Sequence, residues 1–276
     1  MNNLEKKITK IKNMCIGMRK NILDMAINAG TESSHFGGGL SIVEITATLY
    51  GEIMNYKINE PEWKGRDKFI LSKGHGVLGL YSALAEVGII NKLDLKKFEK
   101  SGGFLFGHPV MNVQKGIEIS SGSLGMGISV GIGMAIASIK KKINNKIFVL
   151  LGDGECNEGS NWEAFMSAPK YELDNLFLIV DRNNLQQTGS NLEIMSIGNI
   201  SEKLKSFGWH VVEINGHNIK ELLNAFSLHK KSKPIAIVAN TIKGKGFSFS
   251  ENNNDWHHKI LSKSQYDSAI KELGKN

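Results

Sequence analysis

Cysteine is scarce. The 276-residue chain carries two, Cys15 and Cys156, which cannot make a disulfide framework, and neither has neighbours at zinc-ligand spacing. Long apolar runs are also missing. Nothing approaches the ~20 residues that a membrane-spanning helix needs, and the opening MNNLEKKITKIKNM has no apolar signal-peptide region. The expectation is a cytoplasmic protein without a membrane partner. The formal charge is +7, but lysine is spread along the whole chain, with KKK at 140–142 the densest run. A nucleic-acid face would want clustered charge with interleaved aromatics, so no nucleic-acid partner is expected. There is no P-loop ending in GK[ST], and the glycines at 125, 127 and 131 read GxGxxxG rather than the dinucleotide pattern GxGxxG. No internal repeat, low-complexity tract or linker divides the chain, which points to one domain over 1–276.

Hydrophobic residues make up 41% and charged residues 22%, enough apolar material for a substantial core. Leu4, Ile8, Ile11, Cys15, Met18, Ile22, Met25 and Ala29 recur at steps of four and three, which predicts one long helix over 4–29. A glycine-rich break at 30–40 separates it from a second expected helix over 41–54, so that 4–54 forms an N-terminal helical segment. Beyond it the pattern changes. DKFILS at 67–72, IFVLL at 147–151, LFLIV at 176–180, WHVVEI at 209–214 and PIAIVA at 234–239 are short apolar runs bounded by turn residues. Such runs suit strands buried on both faces. Helical stretches are expected after SKGHG to Val87 and at 124–142, 159–169, 198–206 and 218–230. Strands alternating with helices imply an α/β fold: a doubly wound, mostly parallel sheet flanked by helices.

The strongest chemical signal is VLLGDGECNEG at 149–159 read with LIVDRNNLQ at 178–186. Each starts as a buried strand and breaks at its carboxyl end, where open parallel sheets bind ligands. Asp153 and Asn183 could therefore meet in one crevice. A carboxylate, an amide oxygen and a nearby backbone carbonyl such as that of Leu185 form the hard oxygen set that magnesium takes alongside phosphate oxygens. Gly152 and Gly154 let the backbone approach a diphosphate, and the helix starting near Glu158–Gly159 offers free N–H groups. Cys156 lies inside the motif as a small buried residue without chemistry. His35, His75 and His108 sit in glycine-flanked turns, where functional residues gather, and their near-neutral pKa suits proton transfer to and from hydroxyls. His210, His217 and His229 read as structural or surface residues.

The GDG…Asn pairing resembles the motif shared by thiamine-diphosphate enzymes. Four further segments resemble transketolases, in that family's order: SSHFGGGLS at 33–41, DKFILSKGHG at 67–76, FGHPV with GIEISSGSLGMGIS at 106–129, and TIKGKGFSF with WHHK at 241–259. The resemblance covers nearly the whole chain. It implies that Asp153, Asn183 and the carbonyl of Leu185 bind Mg2+, with Ca2+ or Mn2+ as substitutes. It implies that His75, Gly122, Ser123, Leu124, Gly154, Asn183, Lys243 and His257 contact thiamine diphosphate. His35, His108 and His257 would face a sugar or sugar-phosphate substrate, and Glu158 would link two active sites across a subunit interface. His258 stands where the family's WHGK has glycine, and Trp256 aligns His257 with the family's last histidine.

A full-length transketolase is more than twice this size, and this chain ends just after the segment matching the family's first domain. The expectation is a split enzyme that transfers a two-carbon ketol unit from a ketose to an aldose. A separate C-terminal subunit would bring the pyrimidine-binding domain, and a second copy of this chain would complete a two-fold heterotetramer. Three alternatives stay open: a subunit of a 2-oxoacid dehydrogenase or deoxyxylulose-phosphate synthase type, a specialised ketol transferase of unusual-sugar biosynthesis, and a non-catalytic cofactor-binding subunit.

Overall fold

The computed structural model describes residues 2–274. Ten α-helices and five strands follow one another along it: α1 Asn3–Ala29, α2 Phe36–Leu40, α3 Val43–Thr48, β1 Lys68–Leu71, α4 Val77–Glu86, α5 Gly127–Lys140, β2 Ile147–Gly152, α6 Gly159–Lys170, β3 Leu176–Arg182, α7 Asn191–Ile194, α8 Ile200–Ser206, β4 His210–Asn215, α9 Ile219–Phe226, β5 Ile235–Asn240 and α10 Lys263–Leu273. The strands form one sheet in the order β1-β2-β3-β5-β4, and every neighbouring pair is parallel. No helix among the described residues is long and apolar enough to cross a membrane. Residues 1, 275 and 276 of the expected single domain lie outside the described residues.

The central strands are buried on both faces because their interior positions are apolar, while β4 at the edge (HVVEIN) is only partly buried. Phe148, Leu150, Phe177, Ile179, Ile235 and Ile237 face one core. Ile147, Val149, Leu151, Leu176, Leu178 and Val180 face the other. The strand order explains which helices lie where. Parallel crossovers are right-handed, so a step along the sheet in one direction places its helix on one face, and a reversed step uses the opposite face. The steps from β1 through β4 run one way, and α5, α6 and α8 all pack into the second core. The single reversed step, β4 to β5, sends α9 to the first. That first face is also covered by α1–α3, by α10 and by α4, the first of the two helices between β1 and β2.

α1 starts at a capping box in which Asn2 and Glu5 satisfy each other's backbone N–H. Its predicted stripe is buried from Ile11 onward, while Leu4 is exposed. Complete burial of side chains such as Met18 and Ile22 contributes roughly 1.5–3 kcal/mol each. The break expected at 30–40 holds the short helix α2, and the helix expected over 41–54 is α3 continued by a π-helical turn at Leu49–Ile53. The backbone leaves the helix at Ile42 (φ −104°, ψ 7°). The break lets Ser41 turn its hydroxyl to the buried Asp181 while the residues on either side enter the core. The C-terminal α10 has no counterpart among the helices expected from sequence.

Candidate functional site

The carboxyl ends of β1, β2 and β3 converge on one cavity of about 310 Å3, lined by residues that include His35, His75, His108, Gly122, Leu124, Asp153, Gly154, Asn183, Leu185 and His257. Gly152, the last residue of β2, pairs with Asp181 in β3. The two chain segments that follow these strands therefore leave the sheet side by side.

The floor is a dense polar network. The Asp153 carboxylate accepts the N–H of Gly154 at 2.8 Å and the N–H of Asn184 at 2.6 Å. Asn184 takes up the left-handed conformation (φ 62°), which Asn tolerates better than most residues. Asn183 directs its amide oxygen at the N–H of Leu185, 3.0 Å away, and donates to Asp181 at 3.2 Å. Burial, then the nearby Asp181 carboxylate, raise the Asp153 pKa to about 6. Asp181 itself is fully buried and accepts from Lys73 Nζ at 2.5 Å, from Ser41 Oγ at 2.7 Å and from Thr241 Oγ1. Burial pushes its carboxyl up, but the Lys73 ammonium and the two hydroxyls outweigh burial and hold it below the usual range.

A second buried carboxylate shapes the adjoining loop. Glu155 accepts from Ser72 Oγ, from Gly125 N at 2.9 Å and from Gly152 N at 3.0 Å. It thereby ties the 122–125 loop to the end of β2. Gly125 has φ +85°, and a Cβ there would lie 2.6 Å from Glu158 Cβ, so the turn requires glycine. Burial raises the Glu155 pKa.

The rim is built of imidazoles. The His35 ring lies 5.6 Å from His75, 5.3 Å from His108, 5.4 Å from His257 and 4.3 Å from His258. Lys243 reaches in behind them, with Nζ 3.0 Å from His257 Nδ1, 2.8 Å from the Gln186 carbonyl and 2.7 Å from Asn254 Oδ1. Burial, followed by Lys73, lowers the Lys243 pKa to about 8. Burial, followed by His258, His257, His108 and Lys243, lowers that of His35 to about 3. Burial, followed by Lys243, Lys73 and His258, brings His257 to about 4. His75 is pushed well below the ordinary value, first by burial and then by Lys73. Near neutral pH, His35, His75 and His257 are uncharged imidazoles, each with one N–H and one acceptor nitrogen.

The cavity has features that fit a cation bound to an anion. Asp153 is a nearly buried carboxylate without a cationic partner in its hydrogen-bond shell. Asn183 and Leu185 line the same cavity, Asn183 with its amide oxygen against the Leu185 N–H. Among the described residues no three His, Cys, Asp or Glu side chains form a metal-holding group; what Asp153, Asn183 and Leu185 offer is oxygen donors of the hard kind that magnesium takes. On the anion side, Gln186 lines the cavity with a buried amide nitrogen that has no acceptor. A Cβ on Gly154 would press on the same Gln186 side chain at 2.8 Å.

Of the residues singled out from sequence, most meet in this cavity. Ser123 is exposed and does not line it, although its neighbours Gly122 and Leu124 do. Glu158 is exposed at the start of α6, against Gly125. Cys156 is fully buried, its thiol 3.5 Å from the Gly152 carbonyl. His217 is held between Glu44 and the N–H of Ile242. Sequence reasoning missed Lys73, Asp181, Glu155 and Gln186. Lys73 and Asp181 lie inside quoted motifs, but only the sheet register shows that they meet.

The family model described as "Transketolase, thiamine diphosphate binding domain" matches residues 12–276. The chain is 41% identical over 243 residues to the 6-deoxy-6-sulfo-D-fructose transketolase subunit SqwG of a Clostridium species, covering 87% of this chain and 88% of that protein. It is 38% identical over 257 residues to an apulose-4-phosphate transketolase subunit of Phocaeicola vulgatus, covering 92% of this chain and 90% of that protein. Its structure resembles transketolase from Leishmania mexicana with a TM-score of 0.88 at 27% identity, covering 96% of this chain. The chain spans 41% of the length of that structure.

Proposed function

The chain belongs to the transketolase family through its thiamine diphosphate-binding domain, and from that footing we propose that it is the cofactor-diphosphate half of a two-chain transketolase. One observation carries the reading. The buried carboxylate and amide that end β2 and β3 open into the same cavity as His35, His75, His108 and His257. A charge-holding floor and a hydroxyl-handling rim thus share one space.

In this reading Asp153, Asn183 and the Leu185 carbonyl hold Mg2+, and Asp181 and Lys73 keep the Asn183 amide turned to present its oxygen. His75, the Gly122–Leu124 loop, Gly154, Lys243 and the Gln186 amide surround the diphosphate. Thiamine diphosphate, when bound, supplies the carbon nucleophile that carries a two-carbon ketol unit from a ketose to an aldose. His35, His108 and His257 contact the sugar hydroxyls, and the neutral rings of His35 and His257 both donate to and accept from them. Glu158, exposed at the start of α6, is proposed to meet a second copy of this chain. A complementary chain supplies the pyrimidine-binding half. Two relatives of nearly this length, both described as subunits, support that division. Their names also favour a specialised sugar as donor over the pentose phosphates.

Calorimetric titration with thiamine diphosphate, with and without Mg2+, tests the floor in the presence of the complementary chain. Saturable, Mg2+-dependent binding that is lost in Asp153→Ala is expected. Unchanged affinity in that variant overturns the metal assignment.

A further inference from the structure

Resting on the reading of the cavity as a sugar site, we infer that His258 is a positioning residue. It fixes the His35 ring at the cavity mouth through a clasp between the 33–35 loop and the 258–259 segment. His35 lines the cavity, whereas His258 stands behind it, so His258 acts through His35. Their rings are 4.3 Å apart, closer than any other histidine pair at the rim. His258 is exposed and adds little to the core, yet it is held from several sides. Ser33 Oγ lies 3.0 and 3.1 Å from its two ring nitrogens. Ser33 makes that contact from the left-handed region, φ 56°, a strained backbone state for serine. Next to it, Ser34 and Lys259 form an antiparallel bridge, N–H to carbonyl in both directions at 3.3 and 3.1 Å. Trp256 anchors the base of the clasp, buried against Phe36 and Phe249.

The groups facing His35 are His75, His108, His257, His258 and Lys243. After burial, His258 is the strongest of the influences that keep His35 unprotonated. Removing it should both free the His35 ring and let that ring take up a proton more readily. A purely structural role predicts neither change.

The experiment is histidine ring NMR on the full chain, followed by kinetics of the chain assembled with its complement. In the wild type the His35 ring should stay neutral from about pH 5 to 8. In His258→Ala the His35 signals should move and begin to titrate at the acid end of that range. His258→Phe keeps the ring contact without the Ser33 bond, and should shift His35 less. In the assembled enzyme, His258→Ala should raise KM for the sugar by about three- to ten-fold, the size of one lost aromatic contact, with kcat changed less. His35 signals and KM that match the wild type in both variants overturn the inference. The NMR readout needs no sugar chemistry. Absence of ketol transfer in an assembly whose His35 responds to His258 therefore sinks the functional reading and leaves the clasp standing.

Discussion

The floor and the rim of the cavity are built on opposite principles. At the floor, Asp153, Asp181, Asn183, Lys73 and Glu155 are all buried and are locked by hydrogen bonds to backbone N–H groups, to hydroxyls and to one another. At the rim, His35, His108, His257 and His258 stand on loops, are partly or fully open to solvent, and meet mainly ring to ring. The floor is preorganised for a group of fixed charge and shape. The rim is less constrained, which suits the proposed contact with sugar hydroxyls. Floor substitutions should therefore cost stability and cofactor binding together, while rim substitutions should change substrate kinetics and leave the fold alone.

The largest effect should come from Lys73→Met. It strips a buried carboxylate of its cation, a loss worth about 3–5 kcal/mol of stability, readable as a lowered urea midpoint. Adding Asp181→Asn should recover part of that loss, and a strictly additive double variant would show that the pair is not coupled. Glu155→Ala comes next. It leaves the N–H groups of Gly125 and Gly152 and the Ser72 hydroxyl without their buried acceptor, at about 1–3 kcal/mol for a buried group so orphaned. Thiamine diphosphate affinity should fall with it as the 122–125 loop loosens. A variant with loosened stability and unchanged affinity would detach that loop from cofactor binding.

His257→Ala marks the contrast. Its ring is half-exposed, so stability should change by within about 0.5 kcal/mol, while kcat/KM for the sugar falls severalfold in a steady-state assay. The smallest effect is one of pH. His35 has a folded pKa of about 3, below the ordinary 6.5. Between those values the unfolded chain binds the extra proton, so the stability His35 contributes is complete above about pH 6.5 and is lost as the pH falls towards its folded value. His35→Phe removes that dependence. Its urea midpoint should gain on the wild type as the pH drops from about 7.5 to about 5, and a gap that stays constant or moves the other way would contradict the burial of a neutral His35.

Sequence reading reaches the two regions unequally. The strands are legible to within a residue or two because β1, β2, β3 and β5 each hold a short apolar run bounded by turn residues, the pattern of a strand buried on both faces. The rim histidines are legible as short glycine-flanked motifs. The floor is only half legible. Asp153 and Asn183 stand at strand ends, where ligands bind, but the Lys73–Asp181 pair joins residues 108 positions apart and exists only once β1 and β3 are placed either side of β2. Glu155 escapes notice beside Glu158, three residues on, because nothing in the sequence distinguishes a glutamate turned inward beneath a loop from one left exposed at a helix start. The turn between α2 and α3 is hidden for the same reason: Ser41 answers to Asp181, a partner 140 residues away.

The central claim is that floor and rim together form half of a ketol-transfer site. Its most direct test is transfer of a two-carbon unit from a ketose phosphate to an aldose phosphate, with thiamine diphosphate and Mg2+, by the chain alone and by the chain co-purified with its complementary chain. The account predicts activity in the pair and none in the chain alone. Full activity of the isolated chain, or none in a pair that binds cofactor, would contradict it.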